Sequence, residues 1–136
     1  MPELELRAVG FSIKQARLNL PITSPIYDLQ FLNEGWDDPQ TPPLSIKTLM
    51  SAEHLWRDVR LKNDIAGVPS IEPGPGGFVE FSWLSNNPDK RLILWVYGDS
   101  KFCVEFTLEA NGTEVSSGDV GSLHEAVALV DQYAAL

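Results

Sequence analysis

The chain has 136 residues, 43% of them hydrophobic and 21% charged, with a formal net charge of −9. That length suits one domain and hides roughly two-thirds of the unfolded surface without help from a disulfide or a metal. The single cysteine, Cys103, excludes an intrachain disulfide, and no apolar run approaches the ~20 residues of a membrane span.

The first ten residues carry Glu3, Glu5 and Arg7 and lack the basic start and apolar run of a signal peptide, so a cytoplasmic setting is expected. The charge is uneven. Residues 1–68 hold seven Lys/Arg and nine Asp/Glu, whereas residues 69–136 hold three and ten, giving −2 and −7. An acidic half repels phosphate backbones, which argues against nucleic acid; it either attracts a basic protein partner or simply maintains solubility.

In chain order, Leu4, Leu6, Val9, Phe11 and Ile13 alternate with other residues around a slip at Gly10, the pattern of a bulged strand. Ser24-Pro25 opens a short helix that Gly35 closes, with Ile26, Leu29 and Leu32 on one face. A longer helix follows Pro42-Pro43, capped by Ser45 and bounded by Gly67 and Pro69. Its buried stripe is read as Ile46, Leu49, Met50, Trp56 and Val59. Lys47, Glu53, Arg57, Arg60 and Lys62 fall mostly on the wet side. Gly67 to Gly77, with three prolines and four glycines, reads as a loop.

A meander comes next. Phe78 to Trp83 and Phe102 to Leu108 alternate apolar and polar residues, while Arg91 to Tyr97 is apolar on both faces. Gly98-Asp99-Ser100 and Asn111-Gly112 are hairpin turns, the second implying a strand over Thr113 to Ser117. Ser122 and Glu125 then form a capping box for a closing helix. The fold class expected is α+β, an antiparallel meander of about four strands on two to three helices in two layers.

Chemistry is scarce. His54 and His124 lie far apart on different helices, and with one cysteine they supply no familiar zinc set. Cys103 has no basic neighbour to activate a thiolate. Gly74-Pro75-Gly76-Gly77 leads into a strand rather than a helix, unlike a phosphate loop. No catalytic, cofactor or metal residue is assigned. Glu80 and Glu105 share a sheet face and form the one carboxylate pair worth weighing, in the manner of a glycosidase.

The middle strand carries the candidate surface. If Leu92, Leu94 and Val96 face the helices, then Ile93, Trp95 and Tyr97 face the other way, beside Glu80 and Glu105. One-sided burial calls for polar residues there, and an apolar row rimmed by charge marks a protein partner or a homodimer. Alternatively the N-terminal segment covers the row as a second small core. Trp36 and Asp37 form a candidate loop. Gly35 ends a helix, Trp36 pins the loop, and Asp37 or Asp38 accepts turn amides.

Leu29-Gln-Phe-Leu-Asn-Glu-Gly-Trp36, continued by Asp37, Pro42-Pro43 and a long helix, precedes Val68-Pro69, a glycine turn and Phe78-Val-Glu-Phe-Ser-Trp83. This succession, over residues 29–97, resembles a loose family of small uncharacterised bacterial proteins. These carry a Gly-Trp-Asp-Gly element before a helix and a Leu-Glu-Trp-like strand. Asp38-Pro39 here replaces the family's glycine. The resemblance implies a bacterial context and no catalytic residues. The function expected is a non-enzymatic interaction module, a neutraliser or adaptor for a basic partner. The competing expectation is a small enzyme or ligand binder with a cleft beside the sheet.

Overall fold

The computed structural model describes residues 18–62, 66–98 and 101–136. The strand expected over 4–13, the covering role expected of the N-terminal segment, and Asp99-Ser100 of the first hairpin turn lie outside the described residues.

Five strands form one antiparallel sheet in sequence order: β1 (Ser70–Gly74), β2 (Phe78–Asn86), β3 (Asp89–Tyr97), β4 (Cys103–Ala110) and β5 (Thr113–Val120). Two α-helices accompany it, α1 (Ile46–Lys62) and α2 (Leu123–Ala134), with a 3-10 helix at Tyr27–Phe31. The class is α+β, as the pattern predicts, but the described residues form five strands rather than about four. The additional one, β1, occupies the stretch read as a loop. Pro73 and the neighbouring glycines masked it, and an edge strand is where a proline is tolerated, since one side of its backbone needs no ladder partner. The β1–β2 turn closes through the Gly77 amide on the Gly74 carbonyl at 3.0 Å.

The other turns follow local chemistry. Asn111 and Gly112 take φ of 54° and 75°, the paired positive values that a two-residue hairpin of right-twisted strands requires. Asn87-Pro88, with a cis peptide bond, joins β2 to β3. At Gly98 the end of β3 passes close to α1. A Cβ there would stand 2.8 Å from the Lys47 carbonyl oxygen and from Ser51 Oγ.

Alternation sets the core. Val79, Phe81 and Trp83 of β2, Leu92, Leu94 and Val96 of β3, and Val104 and Leu108 of β4 are buried together with Leu49, Ala52, Leu55 and Val59 of α1. Ala126, Val127, Leu129, Val130 and Tyr133 of α2 complete the cluster. Both helices therefore cover one face of the sheet. Full burial of each large apolar side chain contributes about 1.5–3 kcal/mol, so this layer dominates the stability.

The stripe on α1 differs from the expected one. Ile46 and Met50 are 41% and 44% exposed, while Ala52 and Leu55 are wholly buried. At about 100° per residue, Thr48, Leu49, Leu55, Trp56 and Val59 lie within roughly 60° of Ala52, whereas Ile46 and Met50 lie roughly 120° and 160° away. Glu53, expected on the wet side, is 2% exposed. The segment before the 3-10 helix folds over it, with Ser24 Oγ donating to Glu53 Oε1 and Arg57 Nε donating to Oε2 at 2.8 Å. Ser24 also accepts the Ile26 amide at 3.1 Å. The expected Ser24-Pro25 helix accordingly shrinks to the 3-10 turn, which ends at Phe31 with Leu32 as its C-cap rather than at Gly35.

Helix ends are satisfied as the sequence predicts. Ser45 Oγ accepts the Thr48 amide and Ser122 Oγ accepts the Glu125 amide, both at 3.1 Å. The Glu125 carboxylate reaches back to the Ser122 hydroxyl, which donates to it at 2.9 Å. At the far end of α2, Lys90 Nζ donates to the Tyr133 carbonyl at 3.0 Å and sits 4.6 Å from the Tyr133 ring centroid. A β3 cation thus meets the negative end of the helix dipole.

Candidate functional site

The face opposite the helices, here the outer face, is built by the other half of each alternation. None of the described helices packs on it. The pairing registers Glu72↔Glu80, Glu80↔Trp95, Trp95↔Glu105 and Glu105↔Asp119 are consecutive, so these five residues form one row across all five strands. Strands lie about 4.8 Å apart, so the row runs about 19 Å. Glu72, Glu105 and Asp119 are exposed, whereas Glu80 and Trp95 are half-buried. The row next to it holds Gly74, Phe78, Tyr97 and Cys103, and the row on its other side holds Ser70, Ser82, Ile93, Thr107 and Ser117.

Ile93, Trp95 and Tyr97 thus lie beside Glu80 and Glu105 on one face. All three are half-buried. Phe78 spans the space that Gly74 leaves without a side chain, and its ring centroid is 5.4 Å from that of Tyr97. Trp95 Nε1–H donates to Glu80 Oε1 at 2.9 Å, which holds the indole in one orientation.

The electrostatics of this face are one-sided. Burial pushes the Tyr97 phenol above its ordinary value, and the neighbouring Glu105, Cys103 and Asp119 add to the shift by disfavouring another negative charge. Among the described residues the ion pairs are Arg57–Glu53 and Arg91–Glu109. Neither neutralises Glu72, Glu80, Glu105 or Asp119.

Glu80 and Glu105 are in register, but each is one strand from Trp95, so the indole stands between them at about twice the strand spacing. A glycosidase pair needs the scissile bond in that gap. His54 lies on α1, across the sheet from both carboxylates, so these groups do not converge. Among the described residues no group of three or more His, Cys, Asp and Glu is placed to hold a metal ion, and no helix is long and apolar enough to cross a membrane.

The Trp36 loop is occupied with its own closure. Trp36 Nε1–H donates to the Pro42 carbonyl at 2.8 Å, and the Gly35 amide donates to the Thr41 carbonyl at 2.6 Å. Asp38, not Asp37, accepts a turn amide, that of Gln40 at 2.8 Å. Asp37 is exposed. A small cavity of about 160 Å³ lies elsewhere, against α1, lined by Pro21, Thr23, Ser24, Glu53, Trp56, Arg57 and Arg60. It is smaller than the ~300 Å³ at which small-molecule pockets begin.

Sequence reasoning placed Glu80, Trp95 and Glu105 on one face but missed Glu72 and Asp119. Glu72 sat in the supposed loop, and Asp119 lay beyond the expected end of its strand. Comparison with protein-family models, with characterised proteins and with solved structures gave no match.

Proposed function

We propose that the chain is a non-enzymatic interaction module, a neutraliser or adaptor, that receives a basic protein on the outer face of its sheet. One observation supports this reading: four carboxylates, without an ion-pair partner among the described residues, and one tryptophan stand in register across all five strands. An aromatic centre within a polar, charged rim is the composition of a protein interface. Charge complementarity favours a basic partner over a second copy. A two-fold contact through this face would oppose the acidic row to itself.

The test uses affinity capture with the wild type and with Glu105→Lys/Asp119→Lys in parallel, followed by calorimetry with each purified candidate. The expected partner is basic, binds the wild type with an affinity that falls as salt rises, and fails to bind the variant. A partner that binds both forms equally removes the face from the function.

A further inference from the structure

The outer face has more specificity than its net charge requires. Directly opposite residues on neighbouring antiparallel strands have Cβ atoms about 5 Å apart, so Trp95 has a carboxylate-bearing side chain on each side, Glu80 and Glu105. Glu80 is already engaged through Oε1 by the indole N–H, which fixes the ring before any partner arrives. A cation approaching from solvent therefore meets a preset aromatic surface between two acidic groups. The fixed ring reduces the ordering cost of binding.

Building on the proposed function, we infer that Trp95 is the seat for one arginine side chain of the basic partner, with Glu80 and Glu105 gripping its edges. Glu72 and Asp119 take further cations toward the two sheet edges.

Arginine fits this seat better than lysine. Its guanidinium is planar and lies flat on an indole while its N–H groups, spread around the rim, remain free for carboxylates on opposite sides. It is also weakly hydrated, so leaving water for a half-buried aromatic surface costs it less. A lysine ammonium is a compact, strongly hydrated point charge. It satisfies one carboxylate at a time and loses hydration when it approaches the ring. The Tyr97 phenol beside the seat is raised chiefly by burial, with Glu105, Cys103 and Asp119 adding to it. Phe78 and Tyr97, ring centroids 5.4 Å apart in the adjoining row, offer an apolar shelf for the arginine stem.

The experiment titrates the full chain with hexa-arginine and with hexalysine, following the Trp95 indole N–H by NMR and the binding constant by calorimetry. Hexa-arginine is expected to bind the wild type about three-fold or more tightly than hexalysine, the preference that a cation–π contact supplies. In Trp95→Leu the two peptides become equal. Glu80→Gln/Glu105→Gln weakens hexa-arginine by about ten-fold, from two partly exposed charge contacts. Asp58→Asn, on α1 across the sheet, leaves binding unchanged.

Equal binding of both peptides to the wild type, still lost in Glu80→Gln/Glu105→Gln, overturns the arginine seat and leaves the basic-partner reading standing. No movement of the Trp95 signal with either peptide overturns both. So does a free chain in which Trp95, isolated by difference from Trp95→Leu, is shielded from acrylamide by a second copy or by residues 1–17. Because Glu105 is exposed, Glu105→Gln alone keeps the test valid if Trp95→Leu fails to fold.

Discussion

Trp95 and Glu80 are register partners on β3 and β2, and the indole N–H of one donates to the carboxylate of the other at 2.9 Å. The bond sits on the outer face, where water competes for both groups, so its net worth is about 0.5–1.5 kcal/mol. Trp95→Ser/Tyr97→Ser is therefore expected to retain a cooperative urea transition with a modest loss of stability. Leu94→Ala, on the opposite face of the same strand and wholly buried, is expected to lose about 2–5 kcal/mol. Urea denaturation of the three proteins checks the contrast. A double variant that unfolds outright would make the outer row core.

Glu53 provides a second, independent test. Its buried carboxylate depends on Ser24 Oγ and Arg57 Nε. Ser24→Ala removes a hydrogen bond to a charged group that water cannot easily replace, and about 1.5–3 kcal/mol of stability should go with it. Arg57 is half-exposed, so solvent already screens its pairing and Arg57→Ala should cost less than breaking a fully buried pair. Thermal melts ranked Ser24→Ala below Arg57→Ala are the expected result.

Tyr97 titrates above its ordinary value of 10.0, chiefly through burial and then through Glu105, Cys103 and Asp119. The folded state thus holds the phenolic proton more tightly than the unfolded chain. Its contribution to stability is complete below pH 10 and is lost as pH rises through the folded value. Glu105→Gln/Asp119→Asn should bring the phenolate transition down toward, but not to, the ordinary value, since burial remains. A bound cationic peptide should lower it in the same direction. Phenolate absorbance against pH, with Tyr97→Phe subtracted, measures both.

Gly98 marks a close approach rather than a turn preference. An added Cβ would stand 2.8 Å from the Lys47 carbonyl oxygen, part of the α1 backbone. Gly98→Ala must move the helix relative to the sheet and should cost about 1–3 kcal/mol by overpacking. Gly112→Ala meets no atom within 4 Å and should cost only the positive-φ strain, about 1 kcal/mol. Denaturant midpoints for the pair separate the two mechanisms.

Local chemistry made several elements readable in advance. Asn111-Gly112 tolerates positive φ on both residues, Ser122 and Glu125 cap a helix between them, and strict alternation in Phe78–Trp83 assigns its faces. These features depend on residues within a few positions of one another, so no tertiary contact is needed to specify them. The α1 stripe was less legible, because Ala52 and Leu55 bury without looking like anchors and Ile46 and Met50 look like anchors without burying.

Glu53 and the acidic row belong to tertiary structure. Glu53 is buried where the segment that carries Ser24, far away in the chain, folds across α1. Glu72, Glu80, Trp95, Glu105 and Asp119 obey no sequence period. Their spacing depends on four separate turns, and a one-residue change in any register would send part of the row to the other face. Alternation determined which residues could share that face. Only strand pairing decided that they stand side by side.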